Sequence, residues 1–304
     1  MIKSILSFPL QVIQFVSNTI NRIIAQSKNP LQSNVLSYKS LINAGIVACL
    51  IYGLYHFIEP FGINNYSNEN KTILIALSAI SGFMGLVISD FLLPSLFKSY
   101  FENSSWTVMK EISLYAMRSF FIGLMVMVLG NQTGLTNFNL PVFLLQFTVA
   151  ASVIGVFIAF IKESMLRKKF QTKAESTNQR IQSYSVPESS NSNPFPVLVF
   201  SGSNDKVSIV PNQLISVNIE KYKSEFVYQN ILGTVNKTLD ISAADVLKEV
   251  NGYGQFIELD KNHFVNAQAL YKAEGNGAGY LVHVAKFSNP IGVSRKFHGA
   301  IENL

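Results

Sequence analysis

Four stretches of this chain, at about 41–58, 72–97, 112–130 and 140–161, are apolar almost throughout. Each approaches or exceeds the roughly 20 apolar residues that an α-helix needs to cross a hydrocarbon core. Only a helix or a closed barrel satisfies its own backbone there, so the stretches predict four transmembrane helices. The first and fourth carry no charge, the second contains only Asp90, and the third only Arg118. An ionised side chain among lipid tails is costly, and the two charges lie at similar depth from one side. They are expected to form an intramembrane ion pair. A signal-sensing or proton-linked switch and a purely structural pair both fit this pattern.

Four spans put both ends of the chain on the same side, and the basic residues choose which. Lys3, Arg22, Lys28 and Lys39 precede the first span, Lys98 and Lys110 lie between the second and third, and Lys162, Arg167, Lys168 and Lys169 follow the fourth. The other two loops hold Lys71 alone. Both termini are therefore expected in the cytoplasm. The formal net charge of +6 belongs entirely to residues 1–169, while 170–304 are balanced. High basicity thus reports orientation across a bilayer, and it is no sign of nucleic-acid binding here.

Residues 1–40 form an N-terminal arm, and over 1–27 Ile2, Ile5, Leu6, Val12, Ile13, Val16, Ile20, Ile23 and Ile24 recur at helical spacing among polar residues. This predicts an amphipathic helix on the membrane surface, bent at Pro9. A cleaved signal peptide fits less well, because no uninterrupted apolar run leads to a small-residue cleavage site. The single cysteine, Cys49, lies in the first span and allows no intrachain disulfide.

Beyond the fourth span, 162–194 read as a basic juxtamembrane segment and a flexible linker. From 171 to 193 the composition turns to Ser, Asn, Gln, Thr and Lys, too polar to offset the entropy of ordering. A helical start after the span is compatible with it. From residue 195 the period becomes that of strands, in runs such as PVLVF, KVSIV, LISVNI, EFVYQN, QFIEL and GYLVHVAKF separated by turn signals. One helix is expected at 243–250, with Ser242 as N-cap and Asp245 in the acidic capping position. A second short helix is expected from Ser294 onward.

No enzyme constellation stands out, and no cofactor is expected. His56, His263, His283 and His298 have no second His or Cys at metal-ligand spacing. The run GNGAG (275–279) lacks the Lys-Ser/Thr of a phosphate loop and reads as a hairpin turn.

Two runs carry a resemblance. FIELDKNHFVN (256–266) and IGVSRKF (291–297) resemble the signature of the LytTR family of bacterial DNA-binding domains. HFIEPFGI (56–63) and SWTVMKEI (105–112) look like the membrane region of four-helix proteins that end in such a domain. The resemblance implies an α transmembrane four-helix region (41–161) plus a mainly-β LytTR-like C-terminal domain (195–304), in a bacterial cytoplasmic membrane. It implies a transcriptional regulator, with a pair of copies on a direct DNA repeat and a membrane-associated signalling partner. Carried over by position, the DNA-facing residues are Lys261, Asn262, Arg295, Lys296, and Lys223 and Ser224 in the loop after the first long strand. Asn266 falls at the family's "VN" and is expected to form a buried turn. The chain departs from the family at Glu258 and Asp260, where Arg and His are usual. Two further readings stay open: a protein-interaction module without DNA binding, and a small transporter whose path Asp90 and Arg118 would line.

Overall fold

The computed structural model describes residues 17–134, 140–183, 197–220 and 223–304. It divides into two compact units, Met1–Ser164 and Met165–Leu304.

In the first unit a helix covers 17–27 (α1), followed by α2 at Tyr38–Ile58, α3 at Asn68–Val87, a π-helical turn at Ile88–Leu92, and α4 at Leu93–Leu96. After these come α5 at Val108–Gln132 and α6 at Leu140–Ser183. Among the described residues four helices, counting Asn68–Leu96 as one, are long and apolar enough to cross a membrane. Ser37, Ser67 and Thr107 cap α2, α3 and α5, each side chain accepting from the amide three residues on. These caps sit in polar flanks, so the helices start three or four residues before the apolar runs do.

Small residues set the helix spacing. Ser81, Gly85 and Ser89 recur every fourth residue, and both serines are fully buried. A Cβ at Gly85 would fall 2.6 Å from the backbone nitrogen of Ile122 on α5. Only glycine permits that approach, as in close-packed membrane helices generally. The two serine hydroxyls bond back to Leu77 and Gly85 carbonyls and so present no unpaired polar group.

The described part of the arm is a helix followed by a strap. Helix is present at 17–27, within the stretch where it is expected, and residues 28–37 form a strap packed into the unit. Pro30 bridges Thr107, the Leu31 amide donates to the Trp106 carbonyl at 3.0 Å, and the Val108 amide donates to the Asn29 carbonyl at 3.1 Å. Leu31, Trp106 and Val108 are buried. Their burial, about 1.5–3 kcal/mol for each aliphatic side chain, outweighs what a surface position would offer the strap. Pro9 and the arm's first 16 residues lie outside the described residues.

Among its described residues the second unit has ten strands in three antiparallel sheets. β1 (Leu198–Ser201) and β2 (Lys206–Ile209) form a hairpin. A five-stranded sheet runs in the order β5-β4-β3-β7-β6, from β3 (Leu214–Ile219), β4 (Ser224–Asn230), β5 (Gly233–Leu239), β6 (Phe256–Asp260) and β7 (His263–Asn266). The third sheet has the order β10-β9-β8, from β8 (Leu270–Gly275), β9 (Tyr280–Val284) and β10 (Ile291–Gly292). Two helices complete it: α7 (Ala243–Val250), capped by Ser242 as expected, and α8 (His298–Glu302).

The five-stranded sheet is the middle layer, because strand alternation gives it two apolar faces. Val217, Phe226 and Phe264 join Phe200 of β1 and Val246 of α7 in one core. Val227 and Val265 join Val282, Val284 and Ile301 in the other.

The second core also corrects the linker. Residues 171–183, expected to be flexible, continue α6, and Phe170, Ala174 and Ile181 pack into this core. Asn178 gives and takes a hydrogen bond with the Ala273 backbone (2.9 and 2.6 Å), occupying the free edge of β8. Lys173 reaches Glu302 at 2.7 Å. The physical reason is apolar residues at helical spacing among polar ones, which gives a mostly polar segment one stripe to bury. Residues 184–194 lie outside the described residues.

Candidate functional site

The LytTR-like runs fold as β6–β7 and as β10 with the 3-10 turn Arg295–Phe297. They are distant in sequence but meet in space. The Ser294 amide donates to the Leu259 carbonyl at 2.8 Å, which sets the Arg295 turn against the end of β6. The Ile219 amide donates to the Asn262 carbonyl at 2.7 Å, which sets the β3–β4 turn beside the β6–β7 turn. Three connections thus share one end of the sheet. From them Lys223, Lys261, Asn262, Arg295 and Lys296 project into solvent.

Local chemistry shapes each turn. Asp260 turns back to accept the Asn262 amide at 2.7 Å, a side-chain cap that fixes the β6–β7 turn. Its carboxylate therefore serves the backbone, while Glu258 is half-buried opposite Phe264. Asn266 is buried and holds three backbone groups: the Pro211 and Leu214 carbonyls and the Gln268 amide. Partial burial lowers the Arg295 pKa from its ordinary value, yet a guanidinium stays charged in proteins. The Lys296 ammonium sits 5.1 Å from the centre of the Phe297 ring. Ser294 occupies an N-cap position, but its side chain makes no capping bond.

One expected contact is corrected. Ser224 is fully buried at the start of β4, so nucleic acid has no route to its hydroxyl. The β period is the reason: Ser224 shares a face with Phe226, which points into the core, while Lys223 lies just outside the strand.

The second site lies in the helical unit. Arg118 on α5 donates from Nε and Nη2 to the two oxygens of Asp90, at 2.8 and 2.9 Å. Ser40 of α2 donates its hydroxyl to the same carboxylate. Pro94 lacks the amide that would normally bond the Asp90 carbonyl four residues earlier. That carbonyl instead accepts the Leu36 amide of the strap at 3.0 Å, with Leu36 in the left-handed region at φ 52°. Asp90 itself lies in the π-helical turn, a device found often at functional sites. One residue therefore ties the strap, α2, the π turn and α5.

A second buried polar cluster had no sequence signal beyond its charges. Glu111 accepts from the Trp106 indole at 2.9 Å and from Lys162 at 2.8 Å, while Asn29 donates to Glu163 at 3.1 Å. Glu111 and Glu163 are buried, and such groups persist only when paired.

No protein-family profile matches the chain, and no curated protein matches it in sequence. Among solved structures, it is similar to the LytTr DNA-binding domain of a putative methyl-accepting/DNA response regulator from Bacillus cereus. That match has 10% identity and a TM-score of 0.29, over 35% of this chain and 94% of the other.

Proposed function

We propose that the protein is a membrane-tethered transcriptional regulator. In this reading four helices span a bacterial cytoplasmic membrane with both termini inside, and the β unit binds DNA through the end of its middle sheet. The observation that carries the reading is the meeting of the two LytTR-like runs, which gathers Lys223, Lys261, Asn262, Arg295 and Lys296 at three adjoining turns. Arginine can donate two hydrogen bonds to a guanine edge, whereas the lysines suit phosphates. A pair of copies would bind a direct repeat, and Asp90 with Arg118 would link a membrane signal to the fold. The lipid-facing surface is supported by Leu50, Phe57, Ile154 and Phe157, all more than 60% exposed.

A second reading has its own support. Glu220 and Glu225 are exposed beside the basic turns, and the chain from 170 onward carries no net charge. A surface of mixed sign suits a protein partner better than a polyanion. Selection from random-sequence DNA by the full chain in nanodiscs separates the two. Enrichment of one sequence class, lost with Arg295→Ala, supports the regulator. No enrichment by a folded chain supports the interaction module.

A further inference from the structure

One row inward from the basic turns, the middle sheet presents a polar strip in place of an apolar face. Glu225, Asn218 and His263 stand side by side on β4, β3 and β7. Together with Asn236 and the segment carrying Lys286 and Phe287, they line an open cavity of about 610 Å³. That volume lies within the range of small-molecule sites, roughly 300–1,000 Å³.

Three observations distinguish this cavity from an ordinary solvated surface. The His263 Nε2 atom is out of solvent and has no hydrogen-bond partner among the described residues. An unpaired buried polar atom is unfavourable, so a ligand toward which the His263 ring turns would give Nε2 a partner and relieve that cost. Among the described residues, neither the Glu225 nor the Lys286 side chain has a hydrogen-bond or ion-pair partner, so the wall holds one open carboxylate and one open ammonium. Finally, Lys286 is held at φ 72°, a region that non-glycine residues rarely occupy, in the segment that closes the cavity.

We propose that this cavity binds a small zwitterion, an α-amino acid or a dipeptide. Its ammonium would meet Glu225, its carboxylate would meet Lys286, and a polar group would pair with His263. Asn218 and Asn236 add amides that can both donate and accept, and Phe287 gives the site one apolar wall. Nothing in this binding step depends on DNA. Glu225 lies two residues from Lys223, and His263 follows Asn262. If the β unit binds DNA as proposed above, the ligand would sit directly beneath the contacting turns.

The test is isothermal titration of the full chain in nanodiscs with the free α-amino acids and glycyl dipeptides. Each compound that binds is repeated in its N-acetylated, C-amidated form. Binding by at least one zwitterion is expected, with loss of heat for its blocked form. Glu225→Gln and Lys286→Met should each weaken it at least tenfold while leaving the circular-dichroism melt unchanged, because both side chains are exposed. The inference is overturned if no compound binds, if a blocked form binds equally well, or if either variant binds like the parent. Phosphate binding that needs Lys286 alone would mark a plain anion site and would also overturn it. Because no DNA enters the assay, failure here and failure of the regulator reading are separate results.

Discussion

The two units treat charge in opposite ways. Among the described residues of the helical unit the buried ionisable groups are paired: Asp90 with Arg118, Glu111 with Lys162, and Glu163 with Asn29. In the β unit the cations of the sheet end project into water, and their acidic neighbours stay alongside. The two sets of charges therefore serve different ends. A buried pair fixes a conformation and punishes the loss of either member. An exposed cluster contributes little to folding and leaves its charge accessible to a partner.

The sharpest way to break this comparison is to remove one member of the buried pair. Asp90→Ala is expected to cost about 3–5 kcal/mol in detergent unfolding, because it strands Arg118. Asp90→Ala with Arg118→Ala should cost less than the sum of the single changes. Additive costs would show that the two residues are uncoupled. A smaller effect tests the α6 contact in the β unit. Asn178→Leu leaves the Ala273 amide and carbonyl without partners and should cost about 1–3 kcal/mol, read as faster amide exchange along β8.

The pH dependence of the β unit gives a third test. Burial lowers the pKa of His263 and of His298 below the ordinary histidine value, against the opposing pull of nearby carboxylates. The unfolded chain therefore takes up protons first as pH falls. The stability held by the neutral rings is complete above about pH 6.5 and declines below it, down to the folded-state values. Thermal melts between pH 8 and 5 should show this decline, and His263→Gln with His298→Gln should flatten it. The smallest effect belongs to the β4–β5 turn, where Ile231 and Leu232 are 102% and 94% exposed. Changing either to Ser should alter stability by no more than about 0.5 kcal/mol.

The sequence made some of this legible and hid the rest for physical reasons. Four apolar runs mark the helices that are long and apolar enough to cross a membrane, because length and hydropathy are local properties. The lone charges Asp90 and Arg118 likewise announce that each needs a partner. Leu36 and Ser40 announce nothing, since their roles arise only when the strap closes on a carbonyl freed by Pro94. The polar composition of 171–183 concealed a helix, although Phe170, Ala174 and Ile181 at helical spacing were its available signal. Ser224 was misplaced because a resemblance gives position along a strand but not which face is buried.

If the basic end of the middle sheet engages a polyanion as proposed, DNA binding must depend on salt through its lysines and Arg295. Binding of the full chain in nanodiscs to a duplex would be measured by fluorescence anisotropy across a salt series. The expected log–log slope is negative by about 0.9 for each phosphate contact. Lys261→Ala and Lys296→Ala should each reduce that slope by about one, and Arg295→Ala should cost about 1–3 kcal/mol at the preferred sequence. Absence of binding at low salt, or a slope unchanged by all three substitutions, would contradict it.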